Sequence, residues 1–309
     1  MDRWRRGSAL KHHYVPQFLL RRWSNANGKL YVFAMCNGRL VCSERAPEYT
    51  GFEHDLYAVI ANAIGLSEDV LERKLFGPID KNASKVLEKL EQHAPISEDE
   101  HIAWTFFLSS LRVRQPDVLD FLRTDGIARM KAFLAEFDQT TLPASSVTTE
   151  QWFAENLPGA LEARSLTSWL PRMITHDEVT DAFAGLKWWF REFEPAEAKL
   201  LLADDPIYWD GGLRKAGFMI HLPIAPDRLF IGTRSEESET ILSQMPAAEL
   251  IRRVNRTTLA SSVDRIWAST QDEARTFIEA HLDDIGKDAR IFRSIAPWAR
   301  STAAPANGS

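Results

Sequence analysis

The chain has 309 residues, of which 45% are hydrophobic and 26% charged, an ordinary globular composition with length enough to bury a substantial core. Its net charge of −6 argues against wholesale binding to nucleic acid or an anionic membrane, because phosphate contacts need clustered cations. No apolar run approaches the ~18 residues of a membrane span, and Arg3-Trp4-Arg5-Arg6 leads to the first histidines without the apolar core of a signal peptide, so the sequence reads as cytoplasmic with no membrane partner.

Residues 1–10 read as a flexible basic lead-in. Lys11 to Val15 reads as extended, since the residue before Pro16 is pushed out of the α region, and Pro16 suits the first turn of a short helix carrying Phe18, Leu19, Leu20 and Trp23. A hairpin comes next, Lys29–Met35 with Arg39–Glu44, around the two-residue turn Asn37-Gly38. That register pairs 36 with 39 and 33 with 42. It places the only cysteines, Cys36 and Cys42, on opposite faces, so neither a disulfide nor a zinc site is expected.

Residues 45–65 read as loop, anchored by Phe52, Leu56 and Tyr57. From Ser67, apolar residues recur at helical spacing through Leu90, with a break or kink expected at Gly77-Pro78. The acids Asp69, Glu72 and Asp80 read as the solvated face of that helix. The capping box Ser97-Glu98-Asp99-Glu100 starts a second helix running to Arg114, and Pro116 opens a third through Met130. Thr149 is expected to cap a short helix, with Pro158, Gly159 and Pro171 interrupting the residues beyond it. Thr175 caps a helix from about His176 to Phe193.

After Pro195 the period becomes strand-like over Ala198–Ala203, Gly217–Leu222 and Arg228–Gly232. Pro246 opens a long helix toward Trp267, another spans about 271–283, and residues 299–309 read as a flexible tail. Hairpin, helices, strands and helices in that order imply an α+β fold, mostly helical, with a small, mainly antiparallel sheet. A hairpin joining the 198–232 strands in one sheet would give a single domain over residues 11–285.

The densest chemistry lies in Lys11-His12-His13-Tyr14 and the residues up to Trp23. Adjacent histidines on an extended segment face opposite ways, so His12 and His13 cannot easily chelate one metal; one imidazole entering a polar cleft would serve as a catalytic acid–base group. Tyr14 shares the face of His12 and could orient a substrate. Asp205 precedes Pro206 at a strand end, where a carboxylate is held rigidly. It could partner a histidine in proton transfer, or join Asp204 in holding a divalent metal such as Mg²⁺; an Asx turn is the structural alternative. Arg112 and Arg114 end a helix whose dipole favours cations, or turn into a cleft with Lys11 to bind phosphate or carboxylate. Gly-rich phosphate loops, the Gly-x-Ser-x-Gly elbow, His-Glu-x-x-His and Cys-x-x-Cys are all absent from the sequence.

Lys11-His12-His13-Tyr14-Val15-Pro16-Gln17-Phe18, followed by an aliphatic, an Arg pair and an aromatic, resembles the start of domain-of-unknown-function family 4238. Asp55-Leu56-Tyr57 looks like that family's acidic, apolar and Tyr step, and Leu111-Arg112-Val113-Arg114-Gln115-Pro116 its helix ending in Arg and Pro. Asp204-Asp205-Pro206-Ile207 is similar to its second signature, with an aspartate where the family carries Ser. Leu222 to Pro226 and Val254-Asn255-Arg256 fit its closing pattern. The resemblance spans roughly residues 11–270. That family is chiefly bacterial, and the resemblance names no reaction.

Two functions are expected from these residues, beside a third reading as a scaffold in which the opening motif is purely structural, buried and fully hydrogen-bonded. The first is an intracellular enzyme, a hydrolase for example, acting on a phosphate-containing substrate such as a nucleotide or nucleic acid. In it His12 or His13 is the acid–base group, Asp205 the orienter or metal ligand, and Lys11, Arg112 and Arg114 the anion clamp. The second is a non-catalytic module binding a small anion or a partner, recognisable by convergent basic groups in a wide pocket without a general base.

Overall fold

The computed structural model describes residues 10–59, 65–141, 143, 146–194 and 197–288; the basic lead-in up to residue 9 and the expected tail lie outside them. The chain divides into two compact units, each made of two stretches. Unit 1 comprises Met1–Pro16 and Phe52–Gly185, and unit 2 comprises Gln17–Gly51 and Leu186–Ser309.

Strand β1 (Lys11–His13) gives way after Pro16 to the single-turn helix α1 (Gln17–Leu20), extended by a 3₁₀ turn through Trp23. The hairpin has the expected register: β2 (Leu30–Cys36) and β3 (Arg39–Arg45) pair Cys36 with Arg39 and Phe33 with Cys42. Asn37 and Gly38 have φ of 50° and 74°, the positive values a type I′ turn requires, and both cysteines are free. Strand β4 (Phe52–His54) then pairs antiparallel with β1, setting His12 opposite Glu53.

Gly77-Pro78 does not break the next helix. A π turn over Glu72–Phe76 runs directly into α2 (Gly77–Glu91), and its wider winding carries the backbone past the proline that cannot donate. Helix α3 (Glu98–Val113) starts at its capping box, with Ser97 and Glu100 each accepting the other's amide. Helix α4 (Pro116–Phe121) passes through a second π turn into α5 (Ile127–Thr141). The cap of α6 (Thr149–Asn156) is Thr148 rather than Thr149; Thr149 instead gives both its amide and its hydroxyl to Asp138. Gly159 and Pro171 do not interrupt α7 (Ala160–Ile174). Gly159 caps its start at φ 80°, and Pro171 lies in the last turn, where it forfeits a single backbone bond.

The helix expected over 176–193 is two elements. Helix α8 (Asp177–Ala184) stops at Gly185, and strand β5 (Lys187–Glu192) comes after it. Trp188, Trp189 and Phe190 suit a pleated surface, and a partner strand distant in sequence makes it one. Then come β6 (Leu202–Ala203), β7 (Tyr208–Asp210), β8 (Met219–Ala225), β9 (Arg228–Thr233), α9 (Glu236–Gln244), α10 (Ala247–Ser261), β10 (Ile266–Ala268) and α11 (Asp272–Ala280).

Unit 1 is helical around α3, whose Trp104, Phe107, Leu108 and Leu111 are fully buried and which packs on α2, α7 and α8. It carries the two-stranded sheet β1-β4. Unit 2 holds two four-stranded antiparallel sheets, ordered β3-β2-β10-β6 and β5-β9-β8-β7. The hairpin therefore shares a sheet with β6 through β10, while the remaining strands of the 198–232 region join β5. Helix α10 serves two apolar clusters: Leu259 packs with Phe33, Ile266 and Ile278, and Leu250, Ile251 and Val254 with Leu229 and Ile231. The fold is α+β, helix predominating, and among the described residues no helix is long and apolar enough to cross a membrane.

Candidate functional site

The His-His-Tyr strand lies in unit 1 and its two rings diverge, as alternation along a strand requires. The His13 ring packs 5.4 Å from that of Phe52, whose face also carries the Lys11 ammonium at 4.9 Å. The His12 ring stacks on Tyr57 at 5.2 Å. His12 is 1% exposed, and its Nδ1 accepts the Tyr57 amide at 2.9 Å. A neutral imidazole that accepts through Nδ1 carries its proton on Nε2. Among the described residues nothing accepts from that buried Nε2. Burial lowers the His12 pKa, Arg123 acts in the same direction, and Asp55 and Asp69 oppose them.

Tyr57 ties the motif to the end of α3. Its buried hydroxyl donates to the carbonyls of His13 and Arg114, each at 3.2 Å, and its ring lies 4.4 Å from Phe76. The loop leading to it is clamped as well. Leu10 and Asp55 exchange two hydrogen bonds, and Arg123 donates to the Leu56 carbonyl at 2.8 Å.

Arg114 does not face a cleft. Its guanidinium is fully buried, donates twice to Asp80 at 2.8 and 3.1 Å and once to Ser110, and lies over the Phe76 ring. Burial works against its charge, but Asp80, Tyr57 and Glu72 around it outweigh that cost and hold it protonated. Glu72 belongs to the same cluster. Burial raises its pKa and Asp80 adds to the rise, and Oε2 has no hydrogen-bond partner among the described residues. Glu72 and Asp80, read from the sequence as a solvated face, are thus half-buried and turned toward Arg114. Arg112, also in unit 1, is half-buried, and Tyr14 is buried.

Asp204 and Asp205 lie in unit 2. The buried Asp204 carboxylate accepts the amides of Val263, Asp264 and Arg265 at 2.8, 2.6 and 2.9 Å, fixing the turn that delivers β10 to its sheet. Burial raises its pKa and those amides oppose the rise. Asp205 is half-buried, and its carbonyl accepts the Ser261 hydroxyl. Among the described residues no group of three or more His, Cys, Asp or Glu side chains could hold a metal ion. Arg22, at the end of the opening motif, lines a cleft of about 360 Å³ in unit 2 with Lys199 and Asp227.

A second concavity lies elsewhere, in unit 1. A groove of about 820 Å³ runs between α5, α6 and α7, lined by Phe133, Phe153 and Trp169 among other apolar side chains and by Arg129, Arg164 and Arg172. Its lining contains no His, Cys, Asp or Glu. Arg164 and Arg172 are exposed.

The family described as a protein of unknown function (DUF4238) matches residues 11–272. The chain belongs to that family. No curated protein and no solved structure matches it.

For this DUF4238 chain, the structure links His12, His13 and Arg114 through Tyr57, and it places Asp204 and Asp205 in the other unit. Sequence reading missed Glu72 and Asp80, whose helical spacing hides the π turn that begins at Glu72, and all three groove arginines. Met130, Phe133, Leu134 and Phe137 could have signalled the groove: an apolar stripe on a helix with nothing yet assigned to cover it.

Proposed function

We propose that the protein is a non-catalytic binding module whose ligand carries an anionic group on an apolar body and occupies the groove between α5, α6 and α7. What supports this reading is the convergence of Arg129, Arg164 and Arg172 on a lining that is otherwise apolar but for Ser168 and lacks a general base. Pockets of this size with few polar groups suit ligand recognition, and guanidinium is the side chain best matched to carboxylate, sulfonate or phosphate oxygens. A fluorescence titration with 1-anilinonaphthalene-8-sulfonate, an apolar sulfonate, tests it. The double variant Arg164→Glu, Arg172→Glu should bind the dye at least about tenfold more weakly (1.4 kcal/mol), with an unchanged melting temperature. Identical titration curves would end the proposal.

A second reading, an enzyme acting on a phosphate-containing substrate, is favoured by the buried His12 and the half-buried Glu72, each with a buried polar atom that no described residue satisfies. Such groups recur where protons are transferred. Turnover of a phosphate ester that His12→Ala or Glu72→Gln abolishes, with folding retained, would select it.

A further inference from the structure

We infer that the occupant of the groove is an acidic amphipathic helix of a partner protein, an inference that rests on the groove being the binding site. Helix α5 has no buried residue along its fifteen positions, although Met130, Phe133, Leu134 and Phe137 recur on it at three- and four-residue spacing. Phe133 is 67% exposed and Phe137 46%. Helix α6 likewise buries nothing, and its Trp152 is 48% exposed. Helices of this length in water owe most of their stability to covering an apolar face.

The extent of that face selects the occupant. A small amphiphile filling the groove would cover its lining and leave Phe137 and Trp152, which lie outside the lining, in water. Phe137 continues the α5 stripe at the spacing of Phe133 and Leu134, and the Trp152 ring lies 5.5 Å from that of Phe153 in the lining. A longer apolar stripe matches that extent, and a helix seated in a groove presents one at i, i+3, i+4 and i+7. The charges set its chemistry. Arg164 and Arg172 stand two turns apart on α7, ~12 Å along the axis, so they match carboxylates repeated every two turns beside the apolar stripe. A polyanion such as nucleic acid would leave the apolar stripe without a counterpart.

The test uses the full chain and designed peptides of about five helical turns: a Glu/Leu amphipathic helix, its Lys/Leu counterpart, and myristate as the small amphiphile. Anisotropy of labelled peptide and displacement of the anilinonaphthalene dye are read together. The Glu/Leu helix should bind and displace the dye, the Lys/Leu helix should not, and Arg164→Glu or Phe133→Asp should each weaken binding about tenfold or more. If dye and myristate bind but the Glu/Leu helix does not, the helix inference falls while the groove stands as a small-molecule site. If none binds, both fall. If sedimentation shows self-association that Phe133→Asp abolishes, the occupant is a second copy of this chain and the inference is again overturned.

Discussion

The Arg114 guanidinium grips the Asp80 carboxylate with two nitrogens at 2.8 and 3.1 Å, joining the end of α3 to α2 inside unit 1. A side chain that could have read phosphate is thereby committed to the interior. Removing one partner of such a pair leaves a buried charge and costs about 3–5 kcal/mol. Asp80→Asn should therefore lower the unfolding free energy in urea by an amount approaching that range, while the double variant Asp80→Leu, Arg114→Met recovers most of it. An Asp80→Asn protein as stable as wild type would refute the interior role of Arg114.

Neighbouring aspartates at the second signature should separate cleanly. Asp204 holds three amides, and hydrogen bonds to a charged acceptor contribute about 1.5–3 kcal/mol apiece before neighbours compensate. Asp204→Asn should cost about 2–4 kcal/mol, and more than Asp205→Asn, because the Val263, Asp264 and Arg265 amides are held by Asp204. Equal melting temperatures for the two variants would contradict the assignment.

Acid should destabilise the protein before the carboxylates titrate. Burial lowers the pKa of His12 and pushes that of His221 from 6.5 down to about 4. A base whose pKa falls on folding binds fewer protons in the native state, so stability rises with pH between the native and unfolded values. The contribution is complete above 6.5 and is lost as pH falls, for His221 down to about 4. Glu72 and Asp204, raised by burial, act oppositely, favouring acid from the ordinary carboxylate range upward. His221→Gln should remove on the order of 2–3 kcal/mol of the stability change between pH 7 and 4. Parallel stability curves for variant and wild type would exclude the linkage.

Local rules carry the fold wherever the signal is local. Asn37-Gly38 specifies its turn and register, and Ser97 with Glu100 specifies the start of α3, because both devices are complete within four residues. Lys187–Glu192 reads as helix in the sequence because its strand character comes from pairing with β9, far along the chain. The site is legible as a motif and not as an arrangement. His12 and His13 stand out in the sequence, but the residue that organises them, Tyr57, shows only as an apolar anchor. Glu72 and Asp80 look solvated because helical periodicity shows which residues share a face, not which face is covered. The groove arginines carry no motif, each being an ordinary charge on an ordinary helix until α5 and α7 pack together.

Hydrogen exchange read by mass spectrometry, on the full chain with and without the anilinonaphthalene dye at saturation, locates the ligand most directly. A ligand in the groove should slow exchange in peptides from α5, α6 and α7, over residues 127–174, and leave Lys11–His13 and Asp204-Asp205 unchanged. Protection confined to the His-His-Tyr strand and its Tyr57 loop, with the α5–α7 peptides unchanged, would contradict binding in the groove and return the site to the opening motif.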